Sequence, residues 1–380
     1  MKLTKIMLSA SIAVLALASC NKQDTTPQVA NRLKTVEISL ENFTLTKAEA
    51  GTKIESGDAV QVNDFKIFLT DGSGNEYKAK VADGSTEAKT YWSTADLQNG
   101  QLPVSDASFH YVDPNCTKVV AVANLGDDLT FAEYKSLANL KIGEQQDQTG
   151  LVLFDEQTLV PAGKQHNDKA ADGTTYVSDV YKADLVLTPR ISRFEVDGFV
   201  VKFDAADPKY DEIKITQIAF QNYYPETSVL TGVETGTLVN HIADFSNQSA
   251  VYSWLDTPED PQPWYRDSFD LTITPADPKA DTPKPLAYHM FSCDEAPVMV
   301  IKLLADNQPA YLYTKGFYKT DGAAVENFEE GYIYRMSAAG EVENDGSIPI
   351  DEDDIDPMDR CLEITVDVVK WAVELVYPEF

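Results

Sequence analysis

ITVDVVKWAVELVYPEF, residues 364–380, is the stretch from which the fold can be read. With the preceding CLE it places Leu362, Ile364, Val366 and Val368 at every second position, with Glu363, Thr365 and Asp367 between them. A period of two is that of a strand with one buried face. The phase then slips at Val369, and Trp371, Val373, Leu375 and Tyr377 take the other register. A slip of one residue sends every later side chain to the opposite face, so the stretch reads as two consecutive strand segments parted by a bulge or bend. An apolar strand at a chain end leaves an edge that pairs with whatever reaches it. It is expected either to fold back into its own sheet or to serve another.

The same period governs most of the chain. DFKIFLTDGSGNEYKAKV (64–81) alternates around Phe65, Ile67 and Leu69 and turns at Asp71-Gly72-Ser73-Gly74, a hairpin signal. TKVVAVANLG (117–126) is a continuous apolar run of strand length, suited to a sandwich core. Strands are expected again in ADLVLTPRISRFEVDGFVVKFD, EIKITQIAFQNYY, SFDLTITP, APVMVIKLLA, QPAYLYTKGF and GYIYRMSA. TFAEYKSLANL (130–140), with Phe131, Tyr134, Leu137 and Leu140 at three-residue steps, is one of few helical patterns. Short strands parted by Gly, Pro, Asn and Asp loops predict an all-β protein of antiparallel sandwiches. PAGKQHNDKAADGTTYVSDV (161–180) is polar and reads as loop, which puts the division between two domains near Lys182. The expected domains are 48–182 and 183–380.

Composition excludes several classes of function. Among 380 residues, 61 Asp and Glu stand against 31 Lys and Arg, a formal net charge of -30 that repels nucleic acid and anionic membrane faces. The sequence holds no GxSxG, P-loop, GxGxxG or HExxH, so no enzyme is indicated and no cofactor is expected. His110, His166, His241 and His289 are scattered, and a metal site among them would depend wholly on tertiary contacts. Cys116, Cys293 and Cys361 are widely spaced without a CxxC and read as small buried hydrophobes.

Two patches invite a functional reading beside a plainer one. WLDTPEDPQPWYRD (254–267) carries Trp254, Trp264 and Tyr265, which could stack on a sugar or cover the edge of the second core; the second is expected. DEDDIDPMD (351–359) offers oxygens to Ca²⁺ but lacks the glycine and terminal glutamate of an EF-hand loop, and reads as a solvated loop.

The first residues form an export signal. Lys2 and Lys5 precede the apolar stretch Ile6 to Leu17, too short to span a bilayer, and Leu17-Ala18-Ser19-Cys20 resembles a bacterial lipobox. The lipobox cysteine is the acylation point, which makes Cys20 the expected lipidation site and 1–19 the signal peptide. LKTVEISLENFTLTK (33–47) follows, with Val36, Ile38 and Leu40 alternating as in a half-buried strand. The small-residue loop AEAGTKIESGDAV (48–60) comes next, and with Lys47 and Lys53 it is open to a protease.

Taken in order, the lipobox, the early strand with its basic cleavage site, VVAVANLG, LTPRISRFEV and the terminal CLEITVDVVKWAVELVYPEF resemble the fimbrillin family, the type V pilins of Bacteroidia. The resemblance spans nearly the whole chain. It implies two transthyretin-like β-sandwich domains in tandem and a precursor lipidated at the outer membrane. Residues 20–47 would be a propeptide cut away between Lys47 and Ala48, with Lys53 as the second choice. The segment 361–380 would be a donor strand filling a neighbouring subunit's groove, with Trp371, Val373, Leu375 and Tyr377 as plugs. The implied partners are further copies of the chain or related pilins, a processing protease and the outer-membrane lipid. The implied role is a stalk subunit of an adhesive surface fimbrium, with a lipid-anchored glycan-binding protein as the alternative.

Overall fold

The computed structural model describes residues 32–40, 43–46, 60–96, 107–136, 140–145, 150–169, 172–229, 234–235, 237–257, 265–336, 346–355, 361–370 and 373–376. Strands dominate them, and the protein is all-β. In the first half the strands are β1 (Lys34–Leu40), β2 (Phe43–Thr46), β3 (Val60–Val62), β4 (Asp64–Thr70), β5 (Glu76–Tyr77), β6 (Tyr91–Ser93), β7 (Ser108–Val112), β8 (Lys118–Ala123) and β9 (Leu140–Lys141). They are followed by β10 (Leu153–Thr158), β11 (Val160–Lys169), β12 (Thr175–Leu185) and β13 (Thr188–Pro189).

Two sheets form from these strands. One has the order β11-β12-β1-β7; the other runs β13-β10-β8-β4-β5 with β6 also on β4. They face each other through Trp92, which stacks on Phe65 at 5.3 Å and meets Phe109 edge-on at 6.4 Å. The run VVAVA fills β8, paired on both sides and buried throughout, as its unbroken apolar character requires. Asp71 closes the hairpin after β4 by accepting from the backbone N–H groups of Ser73 (2.8 Å) and Asn75 (3.0 Å) and from Tyr77 Oη (2.6 Å), bonds that hold its carboxyl well below the usual range. The short helix α1 (Phe131–Ser136) opens on a capping box: Glu133 N donates to Thr130 Oγ1 (3.1 Å), and Thr130 N to Glu133 Oε2 (2.8 Å).

The segment 161–180, expected as loop, lies in the hairpin β11–β12. Its polar composition belongs to an exposed ribbon: most of β11 faces water, so no apolar alternation marks it. β12 continues to Leu185, past the division expected at Lys182, and β13 still pairs with β10. Residues up to Pro189 thus still pair with strands of the first half.

The second domain contains β14 (Ser192–Lys202), β15 (Ile213–Gln221), β16 (Glu226–Thr227), β17 (Glu234–Thr235), α2 (Gln248–Leu255), β18 (Arg266–Ile273) and β19 (Lys279–Met290). It continues with β20 (Val298–Ala305), β21 (Gln308–Lys319), β22 (Ala324–Val325), β23 (Tyr332–Met336), β24 (Ser347–Asp351), β25 (Cys361–Lys370) and β26 (Val373–Val376). One sheet of order β18-β15-β20-β21-β25-β23-β14-β19 carries most of them, with β22 on β21 and β24 on β14. The sheet folds over itself as a sandwich, since Phe199 of β14 meets Phe269 of β18 (5.9 Å) and Phe220 of β15 meets Tyr288 of β19 (4.7 Å).

The two halves share one buried apolar cluster and are also linked by polar pairs. Arg190 donates to both oxygens of Glu330 (2.7 and 2.9 Å) and to Val229 O (2.8 Å), with its guanidinium 3.9 Å from the Phe154 ring centre. β9 of the first half pairs with β16 of the second. Gly331, at φ 76°, lies so close to Thr188 that a Cβ there would run into its methyl group. Deeper in the second domain, Glu195 accepts from Arg193 Nε (2.6 Å) and Arg335 Nε (2.8 Å), and Arg193 and Glu195 are both buried. Glu195→Ala leaves a buried arginine without this carboxylate, a change that costs about 3–5 kcal/mol. Urea unfolding of the variant is expected to show that loss, and a shift under 1 kcal/mol would mean that water satisfies Arg193.

The aromatic patch takes its plainer reading where it is described, whereas the acidic one departs from the solvated loop expected of it: Asp351 ends β24, and Glu352 and Ile355 are buried in the helical turn that follows. Trp254, a residue of α2, is buried against His241, and Tyr265 is buried with its Oη on His289 O (3.0 Å); Trp264 lies outside the described residues. Glu352 turns inward to accept from the backbone N–H of Asp204 (2.6 Å) and of Lys209 (2.8 Å). Cys116, Cys293 and Cys361 are free thiols; the first two are buried, and burial pushes the Cys116 thiol up to about 11.

Candidate strand-exchange site

The early strand lies inside a sheet. β1 runs parallel to β12 in the register Lys34↔Asp179 through Leu40↔Leu185, and antiparallel to β7 with a bulge between Lys34 and Val36. Val36 and Ile38 enter the core with Leu40 against it, as their alternation predicts. On the other face Glu37 pairs with Lys164 of β11 at 2.8 Å. Lys34 is buried with its Nζ on Cys116 O (2.5 Å) and 4.6 Å above the Tyr181 ring, and loss of water lowers the pKa of its amine. Thr35, also buried, reaches across to Ser178 Oγ (2.6 Å).

The terminal stretch forms two strands as expected, although β25 keeps its register past the slip at Val369 and ends at Lys370. β25 is an inner strand of the second domain, parallel to β21 and antiparallel to β23, with Leu362, Ile364 and Val366 in the core. Of the segment 361–380, these ten residues are thus already paired within the chain, 361–366 with β21 and 366–370 with β23. β26 leaves that sheet and lies between β2 and β3, parallel to both, with Val373 opposite Phe43 and Val60 and Leu375 opposite Leu45 and Val62. The structure therefore brings the two ends of the chain together. Spacing gave no sign of this pairing, because β2 and β3 are too short to show a period.

Of the other expected site residues, Cys20, Lys47, Ala48, Lys53, Trp371 and Tyr377 lie outside the described residues. Lys47 directly follows β2, and β1 and β2 both lie on its N-terminal side. One cut there separates both strands from the chain that follows.

No family model matches the sequence, and no curated protein matches it. Solved structures do. The chain is similar to fimbrilins and adhesion proteins of Bacteroidia. A candidate cell adhesion protein from Parabacteroides distasonis is 15% identical with a TM-score of 0.48, over 90% of this chain and 97% of that one. A fimbrilin from Porphyromonas gingivalis is 12% identical with a TM-score of 0.43, over 91% and 99%. The tip fimbrial protein Mfa3 of the same organism, with a C-terminal truncation, is 8% identical with a TM-score of 0.37, over 90% and 100%.

Proposed function

We propose that the chain is a stalk subunit of an adhesive surface fimbrium, made as a precursor lipidated at Cys20, cut after Lys47, and polymerised by placing its C-terminal strand where β1 stood in a neighbour. The observation that carries this reading is a match between the two strands. Val36-Glu37-Ile38-Ser39-Leu40 of β1 and Val373-Glu374-Leu375-Val376-Tyr377 at the chain end share one pattern, with apolar residues at the first, third and fifth places and a glutamate at the second. A strand entering in the direction of β1 sets Val373, Leu375 and Tyr377 into the positions of Val36, Ile38 and Leu40. It also sets Glu374 opposite Lys164, the partner of Glu37. The ladder to β12 and β7 then re-forms, as in β-augmentation.

The cis position of β26 gives the cut a second effect. Removal of β2 together with β1 leaves β26 paired on one edge only, to β3. One cleavage thereby opens the acceptor and loosens the donor. Trp254 and Tyr265 are buried, so among the described residues the patch offers neither ring to a glycan.

Mass spectrometry of the surface-derived protein tests the scheme. The polymerised form is expected to begin at Ala48 and carry no lipid; a surface form that retains acylated Cys20 would defeat it. Cys20→Ala is expected to give an unlipidated precursor and few fimbriae, and normal lipid labelling of that variant would remove the anchor from the scheme.

A further inference from the structure

We propose that His110, His166 and Asp168 form a binding site for a divalent transition-metal ion of the zinc type, on the outer face of the sheet that holds β1. This inference does not depend on the fimbrial reading. The three residues are far from any metal motif in sequence, and the topology brings them together. His166 and Asp168 stand two apart on β11 and so share one face, while His110 comes from β7. β11 breaks register between Pro161 and Gln165, where Gly163 takes φ 69°, and such a bulge re-aims the residues that follow.

The ligand atoms converge on one point. His110 Nδ1 lies 2.6 Å and His166 Nδ1 2.7 Å from the same oxygen, Asp168 Oδ1, and the ligand atoms of all three residues fall within 4.8 Å of one another. Asp168 is 1% exposed, and its other oxygen is committed: Oδ2 accepts from Ser178 Oγ (3.0 Å) and Thr35 Oγ1 (3.3 Å). These bonds fix the carboxylate with Oδ1 turned toward the two imidazoles, the support that metal-binding carboxylates commonly have. His110 is 6% exposed, and its Nδ1, although close to Oδ1, lies off the line of a hydrogen bond. A buried nitrogen this close to a carboxylate oxygen yet outside hydrogen-bond geometry fits a ligand facing a shared cation.

The donor set selects the ion. Two imidazole nitrogens and one carboxylate oxygen suit Zn²⁺ and its neighbours, which bind such atoms at about 2.0–2.2 Å, whereas Ca²⁺ and Mg²⁺ need six or more oxygens. Ligands of a tetrahedral ion at such distances stand about 3.3 Å apart, so the 2.6 and 2.7 Å gaps open by about 0.7 Å to seat it. His166, whose side chain is 46% exposed, stands at the solvent side, where water can take the fourth position.

The untagged full chain in detergent, stripped with a chelator, is to be titrated with Zn²⁺ by calorimetry and with Co²⁺ followed in the visible spectrum. We expect one equivalent bound and Co²⁺ absorption of four-coordinate intensity. His166→Ala, at a half-exposed position that does not threaten folding, is expected to weaken binding about a hundredfold. Thr35→Val, which removes one hydroxyl from Asp168 Oδ2, should weaken it about tenfold, and His241→Ala should leave it unchanged. Absence of stoichiometric Zn²⁺ binding in the parent chain, or an unchanged affinity in His166→Ala, would overturn the proposal and leave a hydrogen-bonded triad.

Discussion

Removal of residues 371–380 from the chain cut after Lys47 is expected to abolish fibres while the second domain stays folded, whereas removal of 361–380 is expected to unfold that domain. The two truncations differ by β25 alone. Leu362, Ile364 and Val366 of β25 are buried, and losing each such side chain costs about 2–5 kcal/mol. Three of them, with the ladders to β21 and β23 also gone, exceed a typical stability of 5–15 kcal/mol. The shorter truncation takes β26, which belongs to the small sheet with β2 and β3 and touches none of the second domain's ladders. A melting curve and a size-exclusion profile of both variants decide the matter. If the shorter truncation also unfolds the second domain, the tail is structural and the exchange scheme fails.

How much of this was legible in the sequence depended on whether one face of a strand meets a core. β4, β8, β15 and β20 announced themselves because burial imposes alternation or unbroken apolar runs. The phase slip at Val369 foretold two strands, although β25 runs on in register to Lys370. The hairpin β11–β12 escaped because most of β11 faces water, and that exposure removes the pattern. Its polar residues resemble a linker, although β12 runs on to Leu185 and β13 still pairs with β10.

The polar features were less legible still. Arg190 and Glu330 lie 140 residues apart and pair with each other, and His110 is parted from Asp168 in chain order by β8 and β10 of the other sheet. No spacing rule links such residues, because their distance is set by strand order alone. The match between Val36–Leu40 and Val373–Tyr377 was present in the sequence throughout. It gained meaning once β1 proved to be an inner strand whose side chains have defined places.

An uncut chain is expected to stay monomeric at concentrations where the cut chain elongates, and the reason is effective concentration. β1 and the chain-end strand offer similar apolar plugs, so side chains alone separate them modestly. While β1 is tethered it competes from an effective concentration of about 1 mM, and a donor at about 10 μM is outnumbered a hundredfold. Cleavage removes that advantage. The remaining balance favours the donor, because β1 buries Lys34, whose amine loses its water, where the donor aligns Trp371. A buried aromatic side chain contributes about 1.5–3 kcal/mol, roughly a tenfold to hundredfold preference. The loss of Thr35, aligned with Ala372, takes back part of it through the hydroxyl bond to Asp168. Light scattering of the chain before and after trypsin reads the switch, with a Lys47→Gln, Lys53→Gln variant as the form that stays uncut there. A synthetic peptide of residues 33–46 added to the cut chain should slow growth in proportion to its concentration, and Trp371→Lys should slow it without any peptide. Equal growth of cut and uncut chains, or indifference to the peptide at millimolar concentration, would show that β1 and the donor do not compete for one place.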